Sequence, residues 1–89
     1  MESRLSIDPE LHMLRSAARM CDGRTRQEIE SARFNVFAAF QHCDAEGARR
    51  WLAALMLSVA SATELDIVRE EVRTAMARIA QAIEDEMEG

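Results

Sequence analysis

Apolar side chains recur every three or four residues through the last 27 residues of the chain, Thr63 to Gly89. The stripe consists of Leu65, Val68, Val72, Met76, Ile79, Ile83 and Met87. This spacing predicts one apolar face on a long C-terminal α-helix. A helix of about 24 residues would be roughly 36 Å long. Since a compact chain of this size is only roughly 30 Å across, we expect a partner to cover the final turns.

The rest of the chain has few residues that interrupt helices. It contains one proline, Pro9, and three glycines, and no apolar and polar alternation typical of strands. We therefore predict an all-α fold, a single helical domain over residues 1–89 in which 1–7 and 87–89 are flexible. The predicted helices span 8–21, 26–43, 45–60 and 64–86. Because their connections are short, they should pack as two antiparallel helical hairpins in a small helical bundle.

Polar residues mark the start of each predicted helix. Asp8 precedes Pro9 at the first helical position, and Thr25 with Glu28 forms a capping box. Asp44 is the predicted N-cap of the third helix, and Thr63 with Asp66 approximates a capping box for the fourth. Nothing between residues 61 and 63 forbids a single bent helix from 45 to 88, so that alternative stays open.

The third predicted helix is apolar on almost every side from Trp51 to Ala60. A helix of this kind must be covered on every face, whereas a monomer of four helices covers two or three. We therefore predict a homodimer in which Trp51 is buried. The expected interface residues are Trp51, Leu55, Met56, Val59, Val72, Met76, Ile79 and Ile83.

The net charge of −5 is concentrated in the last helix. Residues 64–89 carry three arginines and eight acidic residues, while the two signs balance in the rest of the chain. Binding to a polyanion through that helix would be repulsive, so nucleic acid is a disfavoured partner. The alternative is a helix-turn-helix-like transcription regulator that uses the first two helices, with Arg24, Arg26 and Arg33 near phosphate.

Few residues have the chemistry of a metal or catalytic site. The soft ligands are His12, Cys21, His42 and Cys43, and they lack the paired spacing that zinc sites use. Carboxylate pairs such as Glu70 with Glu71 have the spacing of a solvated helix face rather than of a magnesium site. We expect no metal, no cofactor and no catalysis, and a small helical enzyme is the third hypothesis.

No apolar run reaches the roughly 18 residues that a membrane span needs, and no secretory signal pattern precedes the first helix. With two cysteines and no sign of export, we expect a cytoplasmic protein with reduced thiols. The favoured function is a small helical interaction module, an adaptor, chaperone-like or regulatory protein. It would act through an exposed apolar helical surface on a second copy or on another helical protein.

Overall fold

The computed structural model describes residues 7–88, and none of them forms a strand. The elements are α1 (Asp8–Arg19), α2 (Gly23–Gln41), α3 (Ala45–Ala60), a 3₁₀ segment (Thr63–Val68), α4 (Arg69–Ala82) and a π segment (Ile83–Glu88). α2 packs against α1 and α3, and α4 packs against α1. The predicted all-α class and small helical bundle are confirmed.

The predicted N-cap of α3 is confirmed, because the Gly47 N–H donates to Oδ1 of Asp44 at 2.9 Å. The other predicted starts differ. α1 includes Asp8 as its first residue, and α2 begins at Gly23, so Thr25 lies inside the helix; neither start has a side-chain cap. Gly23 adopts a φ of 59°, which lets the chain turn directly from α1 into α2.

α2 ends in a Schellman motif, which the sequence pattern did not indicate. The Cys43 N–H donates to the Phe40 carbonyl at 3.2 Å, and the Asp44 N–H donates to the Ala39 carbonyl at 2.8 Å. Cys43 occupies the left-handed position of this motif, with a φ of 54°. The tight turn lets α3 begin at Ala45 and pack back along α2.

The long C-terminal helical segment is present, but its hydrogen bonding changes from 3₁₀ to α to π along its length. The predicted capping box is absent, because Asp66 instead pairs with Arg69 at 2.6 Å. The chain also bends by 103° between α3 and this segment, so the two are separate helices. Within residues 7–88 no single helix is both long and apolar enough to cross a membrane, although these two would meet that test as a bent pair.

The bend brings the final turns back over the body of the protein, which measures 36 × 21 × 19 Å. Ile83 is buried by its own chain, and the π segment contacts α3. Ile7, from the first segment that we expected to be flexible, is buried, and Met87, from the second, packs against the core; the flexibility itself stays a prediction. The remaining expected flexible residues, 1–6 and 89, lie outside the described part of the chain, and so does the side chain of Glu88.

The core combines branched side chains with many buried alanines. Leu14, Ile29, Leu55 and Ile79 are fully buried, and each α-helix contributes at least one buried alanine. Alanine occupies little volume, so the helices approach one another closely. Trp51 is only partly buried against this core, because one face of α3 is turned to solvent.

Candidate functional site

The outer face of α3 carries exposed apolar residues that we call the α3 ridge: Ala53, Met56, Leu57 and Ala60. Their spacing places them in one row along the helix, opposite the buried row that faces the core. Met56 is 51% exposed and Leu57 is 74% exposed. These two large side chains give the outer face of α3 an exposed apolar patch.

A groove between α2 and α3, the α2/α3 groove, runs along one side of the α3 ridge. It has a volume of about 480 Å³. Its lining is Arg24, Gln27, Glu28, Ser31 and Ala32 from α2, with Trp51, Ala54, Leu57 and Ser58 from α3. The charges of Arg24 and Glu28 at its rim compensate each other, since Nε of Arg24 lies 3.9 Å from Oε2 of Glu28. This groove therefore offers shape and apolar area but little net charge.

A second groove, the α3/α4 groove, lies on the other side of the ridge. It consists of two adjoining cavities of about 280 and 250 Å³ that share Met56, Arg73 and Met76. The remaining lining residues are Val59, Ala60, Arg69, Ala77 and Ala80. Its floor is apolar, and among the described residues that line it the charged groups are the guanidinium groups of Arg69 and Arg73.

These two arginines differ in their contacts. Arg69 donates to the carbonyl oxygens of Val59 and Ala62 at 3.3 and 3.0 Å and forms an ion pair with Asp66. Arg73 is exposed and has no ion-pair partner among residues 7–88. Arg69 therefore holds the bend together, while Arg73 leaves an uncompensated positive charge at the edge of the groove.

Six of the eight predicted interface residues are buried inside the chain itself. They are Leu55, Val59, Val72, Met76, Ile79 and Ile83. Met56 is exposed and Trp51 is partly buried. The apolar periodicity that led us to predict an interface also builds the core of the monomer, so of these eight residues Met56 and part of Trp51 stay accessible to a partner.

The sequence reasoning missed the exposed side chain of Leu57 as a site residue. Phe34 and Ile67 are also exposed, at 60% and 83%, but they lie outside the ridge and its two grooves. The sequence carried no signal for Leu57, because nearly every residue from Trp51 to Ala60 is apolar. In the structure, the buried residues Leu52, Leu55 and Val59 define the inner face of α3. Residues on the opposite side of the helix, which include 53, 56, 57 and 60, point outwards.

Two of the arginines of α2, Arg26 and Arg33, are engaged within the chain. Arg26 donates through Nε to the Cys21 carbonyl at 2.9 Å and through Nη2 to the Arg19 carbonyl at 3.1 Å, which caps the end of α1. Arg33 pairs with Glu30 at 2.9 Å. A nucleic-acid phosphate would have to compete with these contacts.

The cysteines and histidines do not converge on one site. Cys21 is buried, and its thiol lies 3.7 Å from the Ala17 carbonyl, while Cys43 is exposed; both are free thiols. Burial raises the pKa of the Cys21 thiol, and the carboxylates of Glu64 and Asp22 raise it further. Within the described residues, no group of three or more His, Cys, Asp or Glu side chains is placed to hold a metal. The predicted absence of bound metal remains to be measured.

Comparison with known proteins identifies no functional residues on this surface. No family model matches the sequence, and neither the curated proteins nor the solved structures give a significant match. The α3 ridge and its two grooves are therefore assigned from geometry alone.

Proposed function

We propose that this protein is a small helical protein–protein interaction module, an adaptor, chaperone-like or regulatory protein without catalytic activity. It acts through the α3 ridge. The observation that carries this proposal is the pair of neighbouring exposed side chains, Met56 and Leu57, on a helix whose inner face is already packed in the core. These side chains contribute nothing to the core, and burying them against a partner would release about 25 cal/mol for each Å² of apolar area.

The shape of the surface favours a helical partner. A row of side chains on one helix packs into the groove beside a row on another, and the α3 ridge has a groove on each side. The partner is a second copy of the chain, giving a homodimer, or another helical protein. We place the protein in the cytoplasm, where its two free cysteines would stay reduced.

Site-specific photo-crosslinking in the native host tests this function. A photoreactive amino acid placed at Met56 or at Leu57, one on each side of the ridge, should give discrete adducts in at least one of the two cases, because a partner packs on the ridge. The matched control is the same amino acid at Ile67, which is also large, apolar and exposed but lies in the 3₁₀ segment, outside the ridge. Absence of any adduct at both ridge positions, or adducts at Ile67 equal to those on the ridge, would contradict the proposal.

A further inference from the structure

We infer that the occupant of the α3/α4 groove is a second copy of this chain, whose α4 lies antiparallel across it about a two-fold axis between Ala77 and Ala80. This inference rests on the proposed function and deepens it, because it names one partner and its register. The contact would cover the Met56 side of the α3 ridge. It would leave Leu57 and the α2/α3 groove open to another helical protein.

The first argument is the order of side chains on the exposed face of α4. Arg73, Ala77, Ala80 and Glu84 follow one another at steps of four, three and four residues, so they lie in one row. The first three line the α3/α4 groove, and all four are exposed. An antiparallel copy centred between Ala77 and Ala80 places Ala77 opposite the partner's Ala80. It also places Arg73 opposite the partner's Glu84, and the symmetry repeats this pair.

The second argument is charge complementarity. Neither Arg73 nor Glu84 has an ion-pair partner among the described residues. A parallel pairing would place the Arg73 side chains of the two subunits next to each other, which is repulsive. The antiparallel pairing instead brings opposite charges together twice. An arginine near Glu84 also offsets the unfavourable position of acidic residues at the carboxyl end of a helix. Charge therefore selects both the orientation and the register.

The third argument is close approach. Ala77 and Ala80 have short side chains, so a second helix can come near the backbone of α4 at the centre of the contact. Met56 lies beside both of them in the same cavity and is half exposed. Its flexible thioether side chain can adapt to the surface of the incoming helix. Exposed ion pairs contribute little free energy, so the affinity comes from this apolar contact and the charges align it.

Charge-reversal variants of the 89-residue chain test this register. Arg73→Glu and Glu84→Arg each place like charges opposite each other twice, so each should raise the dimer Kd about tenfold. The double variant restores opposite charges and should return the Kd close to the original value. The control is Arg78→Glu, the same charge change on the same helix, since Arg78 faces Glu10 of its own chain at 3.7 Å. Sedimentation equilibrium measures Kd, and circular dichroism checks that each variant is folded.

Disulfide trapping gives a second measurement that does not depend on the charge variants folding. In a Cys43→Ser background, a mixture of Ala77→Cys and Ala80→Cys chains should form mixed disulfide dimers faster than either chain alone. Both positions are exposed, so these substitutions leave the core intact. Equal rates in the mixture and in the single variants would overturn the inferred register.

The outcomes separate this inference from the proposed function. Recovery of the dimer in the double charge variant, with mixed disulfides, supports the inference. A monomer at every concentration, or a folded double variant that does not recover, overturns it. If a photo-crosslink at Met56 or Leu57 persists in that case, the interaction function stands with a different partner, and an acidic helix of another protein then becomes the occupant to test. If crosslinks are also absent at both ridge positions, the inferred dimer and the proposed interaction function are overturned together.

Discussion

The guanidinium of Arg69 donates a hydrogen bond to the carbonyl oxygen of Val59 at 3.3 Å, across the bend that separates α3 from the C-terminal segment. The same side chain donates to the Ala62 carbonyl at 3.0 Å and pairs with Asp66. Both carbonyls also accept a backbone N–H at 3.1 Å, from Ala62 and Leu65 respectively. Arg69 gives each of them a second, charged donor at the point where the chain changes direction, so it fixes the angle between the ridge and α4.

Replacing Arg69 should therefore destabilise the fold. We expect Arg69→Met to lower the free energy of unfolding by about 1–3 kcal/mol, because two partly buried hydrogen bonds from a charged group are lost. Arg73→Met is the matched control, one turn later on α4 with no described ion pair, and should change stability by less than about 0.5 kcal/mol. Urea denaturation measures both changes, provided that the dependence of the free energy of unfolding on urea concentration is the same in each variant. Equal effects would show that Arg69 does not hold the bend.

The left-handed position at Cys43 should be improved by glycine. Non-glycine residues are strained at a φ of 54°, so Cys43→Gly should raise the free energy of unfolding by about 1 kcal/mol and the Tm by about 4–8 °C. Gly23→Ala gives the opposite test, because Gly23 has a φ of 59° and open space around it. Backbone strain alone should then lower the Tm by a similar amount. A destabilised Cys43→Gly variant would contradict this account of the turn.

The two thiols should differ in reactivity. Cys43 is exposed and should react rapidly with a disulfide reagent, whereas Cys21 is buried and its pKa is raised, so it should react only when the protein opens. Counting reacted thiols against time in native and denatured protein measures this difference. Fast reaction of both thiols in the native state would contradict the burial of Cys21.

The raised pKa of Cys21 also predicts a pH dependence of stability. In the unfolded chain this thiol ionises near its ordinary pKa of about 8.5, while in the folded protein it stays protonated to higher pH because burial disfavours the thiolate. The unfolded state therefore releases its proton first, and stability falls as pH rises above about 8.5. In Cys21→Ala this component should disappear, which thermal unfolding from pH 7 to 10 would detect. An unchanged pH dependence in the variant would exclude Cys21 as its source.

Two leucines on α3 should respond differently to truncation. Leu55 is fully buried, so Leu55→Ala should cost about 2–5 kcal/mol of stability. Leu57 lies on the exposed ridge, and Leu57→Ala should change the stability of the monomer by less than about 0.5 kcal/mol. Chemical denaturation at a dilution where association is absent measures both. A large cost at Leu57 would mean that the outer face of α3 is packed within the chain.

Duplex DNA should not bind this protein. The net charge is −5, and Arg24, Arg26 and Arg33 are engaged by carboxylates or backbone carbonyls. Fluorescence anisotropy with a labelled duplex at low salt should show no binding. Binding that weakens with salt and is lost in Arg24→Ala would instead favour the transcription-regulator hypothesis.

Much of the helical organisation was predictable because its causes are local. The near absence of proline and glycine and the apolar period of three to four residues indicate helices without reference to the rest of the fold. The Asp44 carboxylate accepts a hydrogen bond from the Gly47 N–H, only three residues away, so the start of α3 was predictable too. The Thr25 and Thr63 capping boxes were predicted by the same rule and are absent, because Gly23 in one case and the Arg69 contacts in the other set a different local geometry.

The candidate site depended on tertiary structure. Residues Trp51 to Ala60 are nearly all apolar, so periodicity does not distinguish the inner face of α3 from the outer face. Packing against α2 and the C-terminal segment buries Leu55 and Val59 and leaves Met56 and Leu57 outside. The sequence by itself determined that the chain forms apolar helices. Only the packed structure decided which side chains remain exposed, because burial depends on contacts between residues far apart in the chain.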